Sequence, residues 1–480
     1  MTTRETDAAG RLTVPALTAV VVGSMVGAGV FTLPQRFATE AGVLGAAMAW
    51  VIAGAGMLML AFVFQSLAVR KPALDSGVYV YARAGFGAYP GFLSAFGYWA
   101  SSCAGNAFYW VLITSTLEPL VPGFGAGNTI WAVAVGSVGV WAFYLLIMRG
   151  VREAAGINAI VTAAKIVPLL VFVVVVVFAF NPDVFVENLG GGFDTGGDSL
   201  FVQVQGTMLV TVFVFLGIEG ASVYSRYARK REDVGRATLL GFLSVLALFA
   251  TVSIISYGIL PQEELAALRQ PSVGSVLEAV VGPWGAWFIS AGLIIAVLGA
   301  YLAWSLMAAE VLFAAAKDGD LPGFLAKTTD KEVPGNALLL SSLFIQVLLA
   351  VVLFSSGALD FMLDLTAALA LVPFALTAGY ALKIAMTGDG YAGLPAVLRT
   401  RELVVGAIAV VYTLFLVLAA GLELLLVSCI LLAPGTLLYA VARRENRERL
   451  FTTPGWIVFS IVVLGAVGGV VGLSTGLVSF

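Results

Sequence analysis

The sequence predicts an all-α polytopic membrane protein, and three observations predict it. Hydrophobic residues make up 60% of the chain and charged ones only 11%, with a mean hydropathy of +1.01, far from the balance of a soluble globular protein. Apolar stretches of about 20 residues, the length at which a helix spans a bilayer, recur along it with short polar joints between them. The basic residues gather on alternate joints.

Taken in order, the chain opens on a polar segment, 1–13, that carries Arg4 and Arg11. The first span, 14–35, exceeds a signal-peptide core and reads as an uncleaved helix. Spans over 42–69, 89–117, 128–148 and 157–180 complete a first set of five, closed by the acidic, glycine-rich loop "NPDVFVENLGGGFDTGGDSL" over 181–200. A second set covers 200–225, 237–260, 286–316, 337–356 and 361–384. Three more, 403–421, 422–442 and 456–478, end the chain, with the joint between the first two the least distinct. The predicted organisation is therefore a cytoplasmic N-terminus (1–13), a first five-helix repeat (14–180), a second (200–384) and C-terminal extra helices (403–480).

Of 25 lysines and arginines, all but Arg36, Lys165 and Arg269 fall on joints that share one side if the N-terminus is cytoplasmic. That asymmetry supports both the span count and an N-inside orientation in the cell inner (plasma) membrane. Cys103 and Cys429 both sit in spans, so the sequence offers neither a disulfide framework nor a zinc pattern, and no cofactor is expected. The chain has no histidine, which leaves carboxylates as its titrating groups near neutral pH. The basic run "SRYARKRED", 225–233, reads as a topology anchor and not as a nucleic-acid site. Tyr79, Tyr81, Trp110 and Trp131 read as interface aromatics, and Glu118 as a solvated outer residue.

The first span contains "GSMVGAGVF", 23–31, where three glycines weaken a helix at membrane depth. Gly23 and Gly27 also have the small-xxx-small spacing of closely packed helices, so this segment alone leaves two readings open. The sixth span breaks in the same way at "VFLGIEGASVY", 214–224, and adds Glu219. Two interrupted spans five helices apart must cross in opposite directions, as an inverted five-plus-five repeat requires. Backbone leaves the helix at that depth only where protein or a water-filled cavity surrounds it, and its freed amides and carbonyls become ligand groups. Buried charge is independent evidence, since an ionisable residue in mid-membrane costs at least about 2.5–3.5 kcal/mol on insertion scales. Lys165, Glu219 and Glu310 stand out on that count.

The segments "VVGSMVGAGVFTLPQ" (21–35), "SGVYVYARAGFG" (76–87), "FLGIEGASVYSRYARKREDVGRAT" (215–238) and "AWSLMAAEVLFAAAKDGDLPGFLAK" (303–327) resemble the amino acid, polyamine and organocation transporters. The likeness is greatest to the bacterial basic amino acid/polyamine antiporters, especially arginine/ornithine exchangers, and covers nearly the whole chain. It implies a LeuT-type fold with discontinuous first and sixth helices, ten core helices plus C-terminal extras, and alternating access. Carried over residue by residue, it implies that Ser24, Gly27, Ala28 and Gly29 receive the substrate α-carboxylate. Ala28 stands where relatives often have serine, which shifts that task to backbone N–H groups. Phe213 takes an aromatic gating position that is tryptophan in arginine/agmatine antiporters, while Leu216 and Gly217 line the break that meets the α-ammonium. Asn106 matches a ligand for the distal group, Trp304 a stacking aromatic and Thr366 a hydroxyl. Lys165 matches a lysine that stands in place of sodium and braces the first helix against the eighth, within geometric reach of Glu310.

The function so implied is exchange of cationic amino acids, arginine for ornithine, without sodium, by a monomer or homodimer in the lipid bilayer. A proton-coupled permease of broader specificity, with Glu219 or Glu310 titrating, is the alternative. A membrane enzyme lacks its reactive constellation here, with no histidine, no GxSxG and no cluster of close carboxylates. A channel lacks a filter-like repeat.

Overall fold

A computed structural model describes residues 13–72, 74, 78–150, 155–191, 198–219 and 231–477. Arg4, Arg11, Ser76, Arg152 and most of the basic run, 225–230, lie outside the described residues. Every regular element among the described residues is a helix. In chain order these are α1 (Val14–Met25), a 3₁₀ turn (Gly29–Thr32), α2 (Leu33–Glu40), α3 (Val43–Arg70), α4 (Val78–Phe86), α5 (Ala88–Leu117), α6 (Ile130–Met148), α7 (Ala155–Ala179) and α8 (Pro182–Glu187). Then come α9 (Leu200–Phe215), α10 (Arg231–Ser256), α11 (Gln262–Ala266), α12 (Ser272–Val281), α13 (Pro283–Lys317), a second 3₁₀ turn (Gly323–Ala326), α14 (Gly335–Val352), α15 (Ala358–Thr387), α16 (Ala396–Glu445) and α17 (Thr453–Thr475).

Nine helices among the described residues are long and apolar enough to cross a membrane, or ten if the bent pair at the start is one span. The remaining sequence spans differ for physical reasons. α5 is long enough but carries Ser94, Ser101, Ser102, Asn106 and Thr114, all buried, because nearly its whole length from Tyr89 to Thr116 is covered by protein and not lipid. α9 stops after 16 residues, where the sixth span breaks. α16 runs for 50 residues, about 75 Å at 1.5 Å per residue, more than twice a hydrocarbon core of about 30 Å. It is two spans joined at Gly421, whose φ of 73° and ψ of 165° are not helical. The indistinct joint of the sequence is therefore a glycine in a conformation other residues adopt only with strain.

Two compact units account for the contacts: Met1–Gly77, Lys165–Ala286 and Thr377–Leu414 in the first, and Val78–Ala164, Trp287–Leu376 and Phe415–Phe480 in the second. In the first, Trp50 on α3 donates from Nε1 to Ser253 Oγ on α10 at 2.8 Å, stacks on Phe37 at 5.0 Å and meets Phe215 edge-on at 6.0 Å. Such aromatic pairs add about 0.5–1.5 kcal/mol each beyond their buried area. They fix α2, α3 and α10 around the end of α9. Between membrane helices the drive is close packing, since lipid tails are as apolar as the side chains. Gly56 on α3 supplies it, lying flat against the Tyr412 ring where a Cβ would collide.

In the second unit α5 is the hub. Trp99 Nε1 donates to Ser341 Oγ on α14 at 2.8 Å, and Ser101 Oγ donates to the Thr366 carbonyl on α15 at 2.7 Å. Tyr89 donates to or accepts from Thr436 at 2.9 Å inside a cluster with Phe92, Tyr439, Phe451 and Phe459. Tyr79, Tyr81 and Trp110 are buried and not at an interface; Trp110 packs edge-on against Tyr301 and Phe143. Trp131, 71% exposed, does face outward. Glu118 is not merely solvated either: its carboxylate accepts from the Gly123 and Gly125 amides and shapes the following turn.

Candidate functional site

Both interruptions lie in the first unit. α1 ends at Met25, Val26 turns extended (φ −72°, ψ 94°), and the chain resumes as the 3₁₀ turn and α2, bent by 48° from α1. Among the described residues the N–H groups of Gly27, Ala28 and Gly29 make no backbone hydrogen bond. Those donors are what an anion requires at a helix break. α9 ends at Phe215, Leu216 turns extended (φ −57°, ψ 136°), and Gly217 enters the left-handed region at φ 103°.

The two ends meet. Ser24 Oγ donates to the Val21 carbonyl at 2.9 Å and to the Gly217 carbonyl at 3.3 Å. A Cβ on Gly217 would stand 2.5 Å from the Ser24 carbonyl oxygen, so only glycine allows this approach. Each helix presents its C-terminal end here, and each such end carries a fractional negative charge of about half a unit. The junction therefore favours a cation. One is in place: Lys165 on α7 donates from Nζ to the Gly23 carbonyl at 3.3 Å, on the last turn of α1. Glu219, 4% exposed, accepts the Gly217 N–H through Oε2 at 3.1 Å and so satisfies an amide that the break releases. The Phe213 ring packs directly on Gly29, where a Cβ would come within 2.6 Å of Cδ1. An added Cβ at Gly23 meets nothing within 4 Å, so close packing is not the reason for that glycine.

The second unit holds Asn106, Trp304, Thr366 and Glu310. Asn106 is fully buried on α5; Nδ2 donates to Ser305 Oγ on α13 at 3.3 Å, and Oδ1 has no hydrogen-bond partner. Thr366 approaches the same helix, its Cγ2 within contact of Gly105, but its hydroxyl donates to the Met362 carbonyl at 2.6 Å. Trp304 is half-buried beside Ser305 in sequence, and Glu310 lies on the exposed side of α13. Sequence reasoning missed Ser305, since a lone serine in an apolar helix carries no signal until its neighbour is known.

A second polar cluster lies outside the spans in the same unit. Arg83 NH1 donates to Asp320 Oδ2 at 2.9 Å and to the Asp318 carbonyl at 3.1 Å, and Tyr79 donates to Asp318 Oδ2 at 2.6 Å. Burial pushes the Asp320 carboxyl up to about 6; Arg83 opposes that shift, Asp318 adds to it, and Arg443 opposes it. Asn446 and Glu445 at the end of α16 bind the backbone of the same loop at Gly319 and Gly323.

Helices that unwind at membrane depth and face each other with freed backbone groups are the site architecture of secondary transporters on a LeuT-type fold. A solved structure supports that fold: a Na⁺-coupled sialic acid symporter in a substrate-bound outward-open state matches with a TM-score of 0.52, covering 87% of this chain and 90% of that one at 12% identity. The chain belongs to the amino acid permease family, whose model matches residues 12–464. It is 47% identical to an arginine/ornithine antiporter of Pseudomonas aeruginosa, over 98% of each chain. It is 41% identical to an L-lysine transport protein of Corynebacterium glutamicum, over 96% of this chain and 95% of that one. An arginine/agmatine antiporter of Chlamydia pneumoniae is 35% identical over 99% of both.

Proposed function

We propose that this protein exchanges cationic amino acids, arginine for ornithine, by alternating access without sodium, with its N-terminus in the cytoplasm. The observation that carries the reading is the junction of the two broken helices, where Ser24 and Gly217 hold two negative helix ends together. In this reading the N–H groups of Gly27, Ala28 and Gly29 bind the α-carboxylate, and the carbonyls around Leu216 and Gly217 bind the α-ammonium. The distal cationic group is assigned to Asn106 with Trp304 stacking on the stem, Thr366 contributing a polar edge and Phe213 gating. Lys165 supplies at the end of α1 the positive charge that sodium supplies in ion-coupled carriers, and arginine-for-ornithine exchange moves no net charge.

For exchange to be strict, bound substrate must lower the barrier to reorientation, which is preferential stabilisation of the occluded state. The names of the relatives agree in substrate class, since three of them are described as handling arginine or lysine. Glu219, buried beside the break, favours a second reading in which proton binding drives a broader permease. Competition for arginine uptake by a panel of amino acids tests the substrate claim. Ornithine and lysine compete strongly and leucine and alanine weakly; equal competition by leucine overturns it.

A further inference from the structure

A cavity of about 190 Å³ lies in the first unit, where the end of α3, the loop after α15 and the start of α16 come together, and it shares no residue with the junction of the broken helices. It exceeds the roughly 30 Å³ share of a single water several times over but falls short of the roughly 300–1,000 Å³ that encloses a drug-sized ligand. A small polar group fits inside, with the rest of its molecule outside.

The polar wall has two parts. Glu402 on α16 is already engaged: its carboxylate accepts from Arg70 Nη2 at 2.7 Å, from the Tyr391 hydroxyl at 2.7 Å and from Ser66 Oγ. The same contacts hold Arg70, whose guanidinium also stands 5.1 Å from the centre of the Tyr391 ring. Gln65 and Arg401 form the second part, and among the described residues their side chains make no hydrogen bond or ion pair. The Arg401 guanidinium is set 6.0 Å over the Phe62 ring, and a guanidinium so held still presents its planar N–H fork at its edge, the geometry that matches a phosphate. Two arginines against one engaged carboxylate leave the wall positive. The open donors call for an anion.

The remaining wall is apolar, with Phe62, Val69, Leu398 and Val405. Val69 is 43% exposed, and Val404 and Ile408 further along α16 are 49% and 45% exposed, as aliphatic side chains of a spanning helix are where they meet lipid tails. Arg70, Lys71, Arg399 and Arg401 gather at the same helix ends, and basic pockets between membrane helices recognise anionic headgroups. The cavity therefore stands where a polar joint meets an apolar span.

We propose that this cavity binds the phosphodiester of an anionic phospholipid, with Arg401 and Gln65 donating to the phosphate, Arg70 adding positive charge and the acyl chains lying outside along Val69, Val404 and Ile408. A free phosphate would use the charge and leave the apolar rim unused. A zwitterionic lipid would bring its own cation beside two arginines. A lipid held here links α3 to α16 alongside the Arg70–Glu402 pair, and the inference depends neither on the transported substrate nor on which way the chain faces.

The test is a titration of the full-length transporter, purified in a neutral detergent, with phosphatidylglycerol, with phosphatidylcholine of the same chains and with inorganic phosphate, bound lipid being read by native mass spectrometry. Phosphatidylglycerol is expected to be retained about tenfold more tightly than phosphatidylcholine, and Arg401→Gln to weaken it about fivefold, the effect of one basic side chain at a headgroup. Arg444→Gln, an exposed arginine at the far end of α16, leaves retention unchanged. Gln65→Glu, nearly the same size, sets a carboxylate in the cavity, also weakens retention and serves if the arginine variant does not fold. Equal retention of the two lipids overturns the proposal, as does unchanged retention in Arg401→Gln or Gln65→Glu. A loss in Arg444→Gln as large as in Arg401→Gln overturns it too, by marking diffuse surface charge. Displacement by inorganic phosphate at the concentration of the lipid itself would mark a free-anion site and overturn the lipid assignment.

Discussion

At the scale of single residues, Gly217 and Gly29 meet different kinds of neighbour. Gly217 sits at φ 103° with its missing Cβ 2.5 Å from a backbone oxygen, whereas Gly29 meets the side-chain ring of Phe213. A ring can turn and a backbone carbonyl cannot. Gly217→Ala is therefore expected to lower stability by more than about 2 kcal/mol, the order of one strained residue plus a clash, and to abolish transport. Gly29→Ala should cost less; thermal unfolding of the two variants in detergent checks the order. Lys165→Ala removes a charged donor worth about 1.5–3 kcal/mol from the Gly23 carbonyl. The expected outcome is a folded protein with transport lost or newly dependent on sodium, and sodium-independent exchange at the wild-type rate contradicts it. The glycines and Lys165 were legible in the sequence as anomalies in apolar spans. What each one touches was not, because Ser24 and Gly217 are 193 residues apart and meet only through packing.

At the scale of elements, hydropathy located the helices well, and the differences have identifiable causes. α5 is too polar to score as a membrane helix by composition, yet it is the best-buried element of its unit. α16 hides two spans because a single glycine, Gly421, makes the turn without a polar joint. In the loop "KDGDLPG", 317–323, the Asp318 carboxylate accepts from the Tyr79 hydroxyl. Asp320, 1% exposed and paired with Arg83, is the more consequential group. An exposed aspartate releases its proton near 3.8, but burial lets the folded protein hold it to about 6. Its contribution to stability is thus present below about pH 4 and lost as the pH rises through 6. Asp320→Asn should remove that component, so the difference in unfolding temperature between variant and wild type grows in the variant's favour from pH 4 to 7. A constant difference across that range would contradict the assignment.

At the scale of the whole molecule, the asymmetry of basic residues and the paired interruptions made the membrane class and transporter architecture readable from the sequence alone. Its division into two compact units was not readable, since α7, α13, α15 and α16 each contribute residues to both and only packing decides where one ends. The junction of Ser24, Gly217, Glu219 and Lys165 lies in one unit, and the buried amide of Asn106 with Ser305 and Thr366 lies in the other. The central claim, sodium-independent exchange of cationic amino acids, is tested most directly by arginine uptake into proteoliposomes loaded with ornithine or left empty. Uptake is expected only into loaded vesicles and at a rate unaffected by an imposed sodium or proton gradient. Equal uptake into empty vesicles, or uptake driven by either gradient, would contradict it.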